Sequence, residues 1–313
     1  MRENIIETKG LTKRFGKFTA VAGINLQIKE GEIFGFLGPN GAGKTTTINM
    51  LTTLIKPTAG QVAIGGYDLA KQGSEIRAII GVVPQTFSLF PELTPEENLS
   101  YIGQLYGMAP EKIKQRTKEL LETVSLYDHR GRISGIFSGG MKQRLSLAAS
   151  IMSSPKILFM DEPTTGLDPQ SRIAIRELTE KLNSEGMTIV YTTHDMEEAE
   201  KICDTINIMD KGNIIAKGTD IEIKHMIKED HLVEIEIANP AKEIISELKK
   251  LPFVVNAHLE KGLINVYVKN KEGVFYKLTD FMHTRNQKVN EIRFKEHSLE
   301  DVFIHLTKKD LRD

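Results

Sequence analysis

The sequence has one cysteine, Cys203, in 313 residues, no excess of basic charge, and no long apolar run. Each shortage excludes something. A lone cysteine cannot close an internal disulfide, which fits a reducing compartment, and Cys203 reads as a small core residue. Lysine and arginine total 41 against 42 aspartate and glutamate, a formal net charge of −1. Nucleic-acid binding calls for a basic face that this balance does not supply. No segment approaches the roughly 18 consecutive apolar residues of a membrane span. Met1-Arg2-Glu3-Asn4 has no apolar signal-peptide core behind it. The expectation is a chain soluble by itself; work at a membrane would need another chain to do the crossing. Internal repeats and low-complexity tracts are also missing.

What is present begins at Gly38-Pro39-Asn40-Gly41-Ala42-Gly43-Lys44-Thr45, which fits G-x-x-x-x-G-K-[ST]. Glycines permit positive φ and close backbone approach, so successive N–H groups can form a nest for phosphate oxygens. A lysine at position 44 adds a point charge for β and γ phosphates, and the Thr45 hydroxyl can ligate Mg²⁺. The flanks agree. Ile33–Leu37 is a short apolar run that reads as a buried strand, and Thr46–Leu51 can begin a helix whose positive end faces the phosphates.

A chain of this length suggests two domains. Residues 4–35 alternate short strands and turns, with Ile24–Ile28 read as a strand and Lys29–Glu32 as its turn. Residues 61–84 add strand-like pieces ending in Gly81-Val82-Val83-Pro84. Residues 94–153 are mostly helical, opening on Thr94-Pro95-Glu96-Glu97: an N-cap, a proline at N1 and early acidic residues. Lys156–Met160 and Thr188–Tyr191 read as buried parallel strands joined by a helix over Gln170–Asn183, a βαβ unit. Beyond a helix expected over Asp220–Lys228, the pattern changes. Strands are expected at His231–Ala238, Val254–Leu259, Leu263–Lys269 and Lys288–Phe294, the middle two joined at Lys261-Gly262. Helices are expected at Pro240–Leu251, Glu272–His283 and from Ser298, with Asp301 in capping-box spacing. That order is βαββαβ, a small split-βαβ domain. The expected division is residues 1–220, a linker at 221–230, and a C-terminal α+β domain at 231–313. His231, His258, His283, His297 and His305 are scattered there without metal-ligand spacing.

Ile157–Met160 ends in Asp161-Glu162, and a buried strand delivers Asp161 beside the P-loop, where it can orient Mg²⁺. Glu162 points elsewhere and can polarise a water. Phe137-Ser138-Gly139-Gly140-Met141 precedes that strand and resembles the signature motif of ATP-binding cassette (ABC) ATPases, usually Leu-Ser-Gly-Gly-Gln. The Ser-Gly-Gly core is kept, with Phe137 first and Met141 fifth, so the motif departs from the usual form at the position whose side chain is expected to make contacts. The resemblance extends to about residue 220. It implies an aromatic at Phe15 against adenine, although taken alone Phe15 reads as core. It also implies Gln85 as the Q-loop glutamine reaching Mg²⁺ and water, Asp168 in a D-loop, and His194 as the switch histidine on the γ-phosphate. Thr46 follows Thr45 in the nucleotide-binding set.

The implied fold is α/β: a RecA-like core with an antiparallel β subdomain and a helical subdomain, followed by the small α+β domain. The implied activity is ATP hydrolysis with Mg²⁺, Lys44, Glu162 and His194 carrying catalysis. In such ATPases two cassettes pair head to tail, each ATP lying between one P-loop and the partner's Ser-Gly-Gly. A single set implies a homodimer or pairing with a second cassette. The ending Ser298–Thr307 and the Phe137–Met141 variant resemble ATPase subunits of drug-resistance-type exporters. That implies separate transmembrane subunits and a place at the cytoplasmic face of the membrane. Phe87, Leu89 and Phe90, within Gln85–Leu99, read either as subdomain core or as the surface receiving a membrane subunit. The competing readings are a soluble ABC ATPase acting on nucleic acid or ribosomes, and a non-hydrolysing regulatory cassette. Residues 231–313 read as a regulatory or dimer-stabilising domain.

Overall fold

The computed structural model describes residues 3–226, 231–237, 242–260, 262–295 and 297–309. It divides into two compact units, residues 1–220 and Ile221–Asp313.

The first unit holds two sheets. β1 (Asn4–Phe15), β2 (Phe18–Ile24), β3 (Gln27–Lys29), β5 (Ala59–Ile64) and β6 (Tyr67–Asp68) form an antiparallel sheet of order β2-β1-β5-β6, with β3 also on β1. Six strands form the second sheet, in the order β11-β10-β4-β9-β8-β7. They are β4 (Ile33–Leu37), β7 (Ile80–Val83), β8 (Ile157–Asp161), β9 (Thr188–Thr193), β10 (Thr205–Asp210) and β11 (Asn213–Gly218). All neighbours in it are parallel except β10 and β11. Parallel strands are covered on both faces, which is why β4, β8 and β9 are buried at every position and why β4 and Ile157–Met160 read as apolar runs.

Strand periodicity separates two cores. Leu158 and Met160 of β8 face one cluster, with Leu120, Leu145 and Ile175 from the helices. Ile157 and Phe159 face the other, with Phe36, Ile48 and residues of the antiparallel sheet. The helices are α1 (Lys44–Leu51), α2 (Gly73–Ile79), α3 (Pro95–Leu105), α4 (Pro110–Thr123), α5 (Gly139–Ser150), α6 (Pro169–Ser184) and α7 (Met196–Ile202). Thr94 and Glu97 form a complete capping box on α3. Cys203 packs against the first core, and burial pushes its thiol well above the ordinary value.

Two local expectations are corrected. Ile24–Ile28 is not one strand. The chain breaks between β2 and β3 at Asn25-Leu26, where the Thr8 hydroxyl accepts from Leu26 N and Asn25 Oδ1 accepts from Gly10 N. Side-chain bonds of this kind compete with a continuous ladder. The stretch 61–84 also contains helix α2 between its strands.

In the second unit, α8 (Asp220–Lys224) leads to β12 (His231–Ile237), α9 (Lys242–Leu248), β13 (Val254–Glu260) and β14 (Leu263–Val268). α10 (Val274–His283), β15 (Val289–Lys295) and α11 (Leu299–Lys309) complete it. α8 is shorter than expected; residues 227–228 of that expected helix lie outside the described residues, as do Ala238, Pro240 and Lys261. Sheet order β13-β14-β12-β15 with antiparallel neighbours is the split-βαβ arrangement. Val233, Ile235, Ile264 and Val266 from its strands meet Leu248, Leu278 and Met282 from α9 and α10. Ser298 and Asp301 exchange cap bonds at the start of α11.

Candidate nucleotide site

Three adjacent parallel strands, β4, β9 and β8, end on the same edge of the sheet. β4 runs into the P-loop, β8 into Asp161-Glu162, and β9 into Thr193-His194. This is where open parallel sheets place ligands.

The P-loop needs its glycines. Gly43 has φ +108°, and a Cβ there would lie 2.6 Å from the Ala20 carbonyl oxygen. Lys44 starts α1 and is buried, with Nζ donating to the carbonyls of Gly38 at 2.7 Å and Pro39 at 3.2 Å. The same ammonium lies 3.2 Å from Glu162 Oε1. A cavity of about 380 Å³ opens over the loop. Pro39, Asn40, Gly41, Ala42, Gly43, Lys44, Thr45, Thr46, Phe15, Gln85 and Glu162 line it, so most of the expected nucleotide set is brought together. Gly38, Asp161 and His194 do not line it; Gly38 instead accepts from Lys44 Nζ through its carbonyl. Phe15 is exposed and its ring carries the Lys13 ammonium 5.0 Å from its centroid. Phe18 and Ala20 also line the cavity. Phe18 arrives because the tight β1–β2 hairpin pairs it with Phe15, three residues earlier, a placement with no motif to announce it.

Asp161 and Glu162 point to different partners. Asp161 Oδ1 accepts from Thr45 Oγ1 at 3.2 Å and from Thr192 Oγ1 at 2.6 Å. Glu162 has φ +47°, a left-handed conformation that costs a non-glycine residue about 1–2 kcal/mol. Its N–H donates to both Thr192 O at 3.1 Å and Thr192 Oγ1 at 2.9 Å. Its carboxylate faces Lys44 through Oε1. Oε2 accepts from Thr165 Oγ1 at 3.1 Å and lies 3.0 Å from His194 Nδ1. Burial works against the charge on Glu162. Lys44, by charge and hydrogen bond, with His194 and Thr165, outweighs it and holds the carboxyl below its ordinary value of 4.5. Glu162 is therefore ionised at neutral pH.

Ser138, Gly139, Gly140 and Asp168 are not part of this cavity's lining. Ser138 N-caps α5 and accepts from Met141 N at 3.3 Å. Ser138 and Gly139 are exposed. Met141 packs against the core of the helices, so this departure from the usual signature fills space there. Asp168 N-caps α6 and accepts from Ser171 N at 3.0 Å and Ser171 Oγ at 2.6 Å; these bonds hold its carboxyl below the ordinary range. A Cβ on Gly140 would lie 2.0 Å from Ser171 Oγ. The start of α5 and the start of α6 are thus fitted to each other, and only glycine fits at residue 140.

A P-loop on one strand, an acidic pair on another and a histidine on the strand between them define a P-loop NTPase. The glycine-rich start of α5 on a separate helical layer narrows the class to an ATP-binding cassette.

The family model described as ABC transporter matches residues 21–165. The linearmycin resistance ATP-binding protein LnrL of Bacillus subtilis (strain 168) is 37% identical over 311 residues, covering 99% of this chain and 100% of the relative. The daunorubicin resistance ATP-binding protein DrrA3 of Streptomyces coeruleorubidus is 33% identical over 313 residues, covering 100% and 98%. The Nod factor export ATP-binding protein I of Ralstonia nicotianae is 35% identical over 311 residues, covering 99% and 95%. A dimeric ATP-binding cassette in a post-hydrolysis state, bound to ADP and Pi, superposes with a TM-score of 0.63 at 31% identity, over 68% of this chain and 98% of that one. The chain belongs to the ABC transporter family of ATP-binding proteins, and it is an ATPase.

Proposed function

We propose that this chain is the ATP-hydrolysing subunit of an exporter whose membrane-spanning subunits are separate chains, and that it works as a head-to-tail dimer on the cytoplasmic face of the membrane. Among the described residues no helix is long and apolar enough to cross a membrane. One observation carries the transporter reading. An apolar groove of about 610 Å³ lies between β7 and helices α3 and α5, lined in part by Leu54, Ile80, Val82, Ile102, Leu105 and Tyr106. Leu54, Leu105 and Tyr106 are exposed, an apolar surface of the sort that marks a protein contact. Leu89 packs into the core, while Phe87 and Phe90 face solvent. Leu89 thus fits the core reading of that segment, and the exposure of Phe87 and Phe90 supports the reading in which it receives a membrane subunit. The names of the relatives favour export over import.

At the nucleotide, Phe15 stacks on adenine and the P-loop amides with Lys44 take the phosphates. The oxygens of Thr45 and Asp161 lie together, joined by Gln85 on the cavity wall; an all-oxygen set of this kind fits a hard cation held jointly with phosphates. These three residues would hold Mg²⁺, which would supply charge neutralisation for the β and γ phosphate oxygens. Glu162, ionised, orients or deprotonates the attacking water, and His194 contacts the γ-phosphate. Ser138, Gly139 and Gly140 cap the γ-phosphate of a partner cassette at a helix N-terminus, and Asp168, the N-cap of α6, belongs to the same nucleotide-binding set as the D-loop aspartate. The C-terminal residues 231–313, after a linker at 221–230, regulate or stabilise the dimer.

Affinity purification from detergent-solubilised membranes tests the assembly. The expected result is a co-purifying polytopic membrane protein that is lost on Leu105→Glu. Recovery of ribosomes or nucleic acid alone would reverse the reading. Deleting residues 231–313 without loss of dimer stability or transport would refute the role given to the C-terminal unit.

A further inference from the structure

Thr192 belongs to neither the P-loop, the acidic pair nor the histidine position, yet it touches both acidic residues. It sits on β9 directly beside Asp161 of β8 in the parallel register and is fully buried. A threonine hydroxyl has one proton to give and lone pairs to receive with. Here the proton goes to Asp161 Oδ1 at 2.6 Å, and the oxygen accepts from Glu162 N at 2.9 Å. The two bonds run in sequence, from Glu162 N–H through Thr192 to Asp161, so each polarises the other. The first joins the bond from Glu162 N to Thr192 O in anchoring the residue that takes the left-handed backbone conformation. The second commits one oxygen of Asp161, where Thr45 also points.

We infer that Thr192 is a positioning residue for hydrolysis: its hydroxyl sets Asp161 and Glu162 relative to each other and thereby couples cation binding to water activation. The inference rests on the nucleotide-site reading above. Valine at this position keeps the shape and the strand preference of a β-branched residue while deleting both bonds.

Thr192→Val is expected to lower kcat about tenfold, the equivalent of ~1.4 kcal/mol, with KM for ATP little changed. Calorimetry of ADP binding supplies a readout independent of turnover. Without Mg²⁺ the affinity is expected to match that of the unaltered chain; with Mg²⁺ the usual gain is expected to shrink severalfold. Thr192→Ser, which restores the hydroxyl, is expected to recover both. A residue that served only stability would shift the melting temperature and leave kcat per folded molecule and the Mg²⁺ gain alone. Unaltered kcat and Mg²⁺ gain in folded Thr192→Val would overturn the inference. Asp161→Asn and Glu162→Gln run in parallel: if those keep full activity the site reading itself falls, whereas their loss beside an active Thr192→Val removes the bridge alone.

Discussion

Both units bury a carboxylate beside basic side chains, and the two differ in what the burial is for. Glu162, in the first unit, meets Lys44 and His194 at the end of β8; Glu234, in the second, meets Arg293 and Lys295 in mid-sheet. Burial opposes the charge on both, and hydrogen-bonded cations pull both below the ordinary value. The resemblance ends with the backbone and the neighbours. Glu234 lies in regular strand pairing, opposite Arg293 and Asn265 on the flanking strands, and its cations come from the adjacent β15. Glu162 lies just past the strand end in a left-handed conformation, and it lines the cavity over the P-loop. Charge pairing inside a sheet fastens strands; the same pairing at a strand end beside an open nest aims a carboxylate. A depressed pKa alone does not separate the two cases.

The comparison predicts unequal losses. Glu162→Gln is expected to lower ATP turnover about 100-fold or more, the size of a lost general base, while Glu234→Gln leaves kcat unchanged. Steady-state phosphate release from both variants checks this, and equal losses would erase the distinction. Lys44→Ala comes next. Removing the ammonium is expected to weaken ATP binding by about tenfold or more, one charged phosphate contact being worth 1.5–3 kcal/mol. It also leaves Glu162 buried without its main counter-charge, so its carboxyl rises. Equilibrium dialysis reads the affinity.

A smaller effect concerns pH. Both carboxylates titrate below 4.5 in the folded chain, so each contributes stability that is present above that value and lost as pH falls through its lowered folded pKa. The stability difference between the unaltered chain and Glu162→Gln, or Glu234→Gln, is expected to be constant near neutrality and to shrink below pH 4.5. Denaturant titrations across pH 3–7 read it. A difference that grew on acidification would mean that burial dominates and the carboxyl is raised. The smallest effect is expected for Ser138→Ala. Loss of the α5 cap costs about 1 kcal/mol, with ATP binding to the monomer unchanged and ATP-dependent dimerisation reduced.

Much of the first unit was legible in the sequence because its chemistry is local. The P-loop spans eight consecutive residues, the acidic pair follows an apolar strand, and the βαβ unit around Gln170–Asn183 shows both periods. The split-βαβ order of the second unit also followed from strand and helix periodicity alone. What escaped reading is mostly non-local. Phe18, three residues from Phe15, escaped because no motif marks the hairpin register that brings it to the cavity, and Thr192 becomes important through a strand pairing 31 residues away from Asp161. Helix α2 was hidden because a seven-residue helix spans less than two turns of period. The break at Asn25 depends on Gly10, 15 residues earlier. The fit of Gly140 to Ser171 is visible only when α5 and α6 lie together.

The central claim is that each chain supplies half of an ATP site, with Lys44 in one copy and Ser138-Gly139-Gly140 in the other. Its most direct test is sedimentation of Glu162→Gln with saturating ATP. The account predicts conversion from monomer to a dimer holding two ATP, abolished by adding Ser138→Arg. A chain that binds ATP fully and remains monomeric at every concentration tested would contradict it.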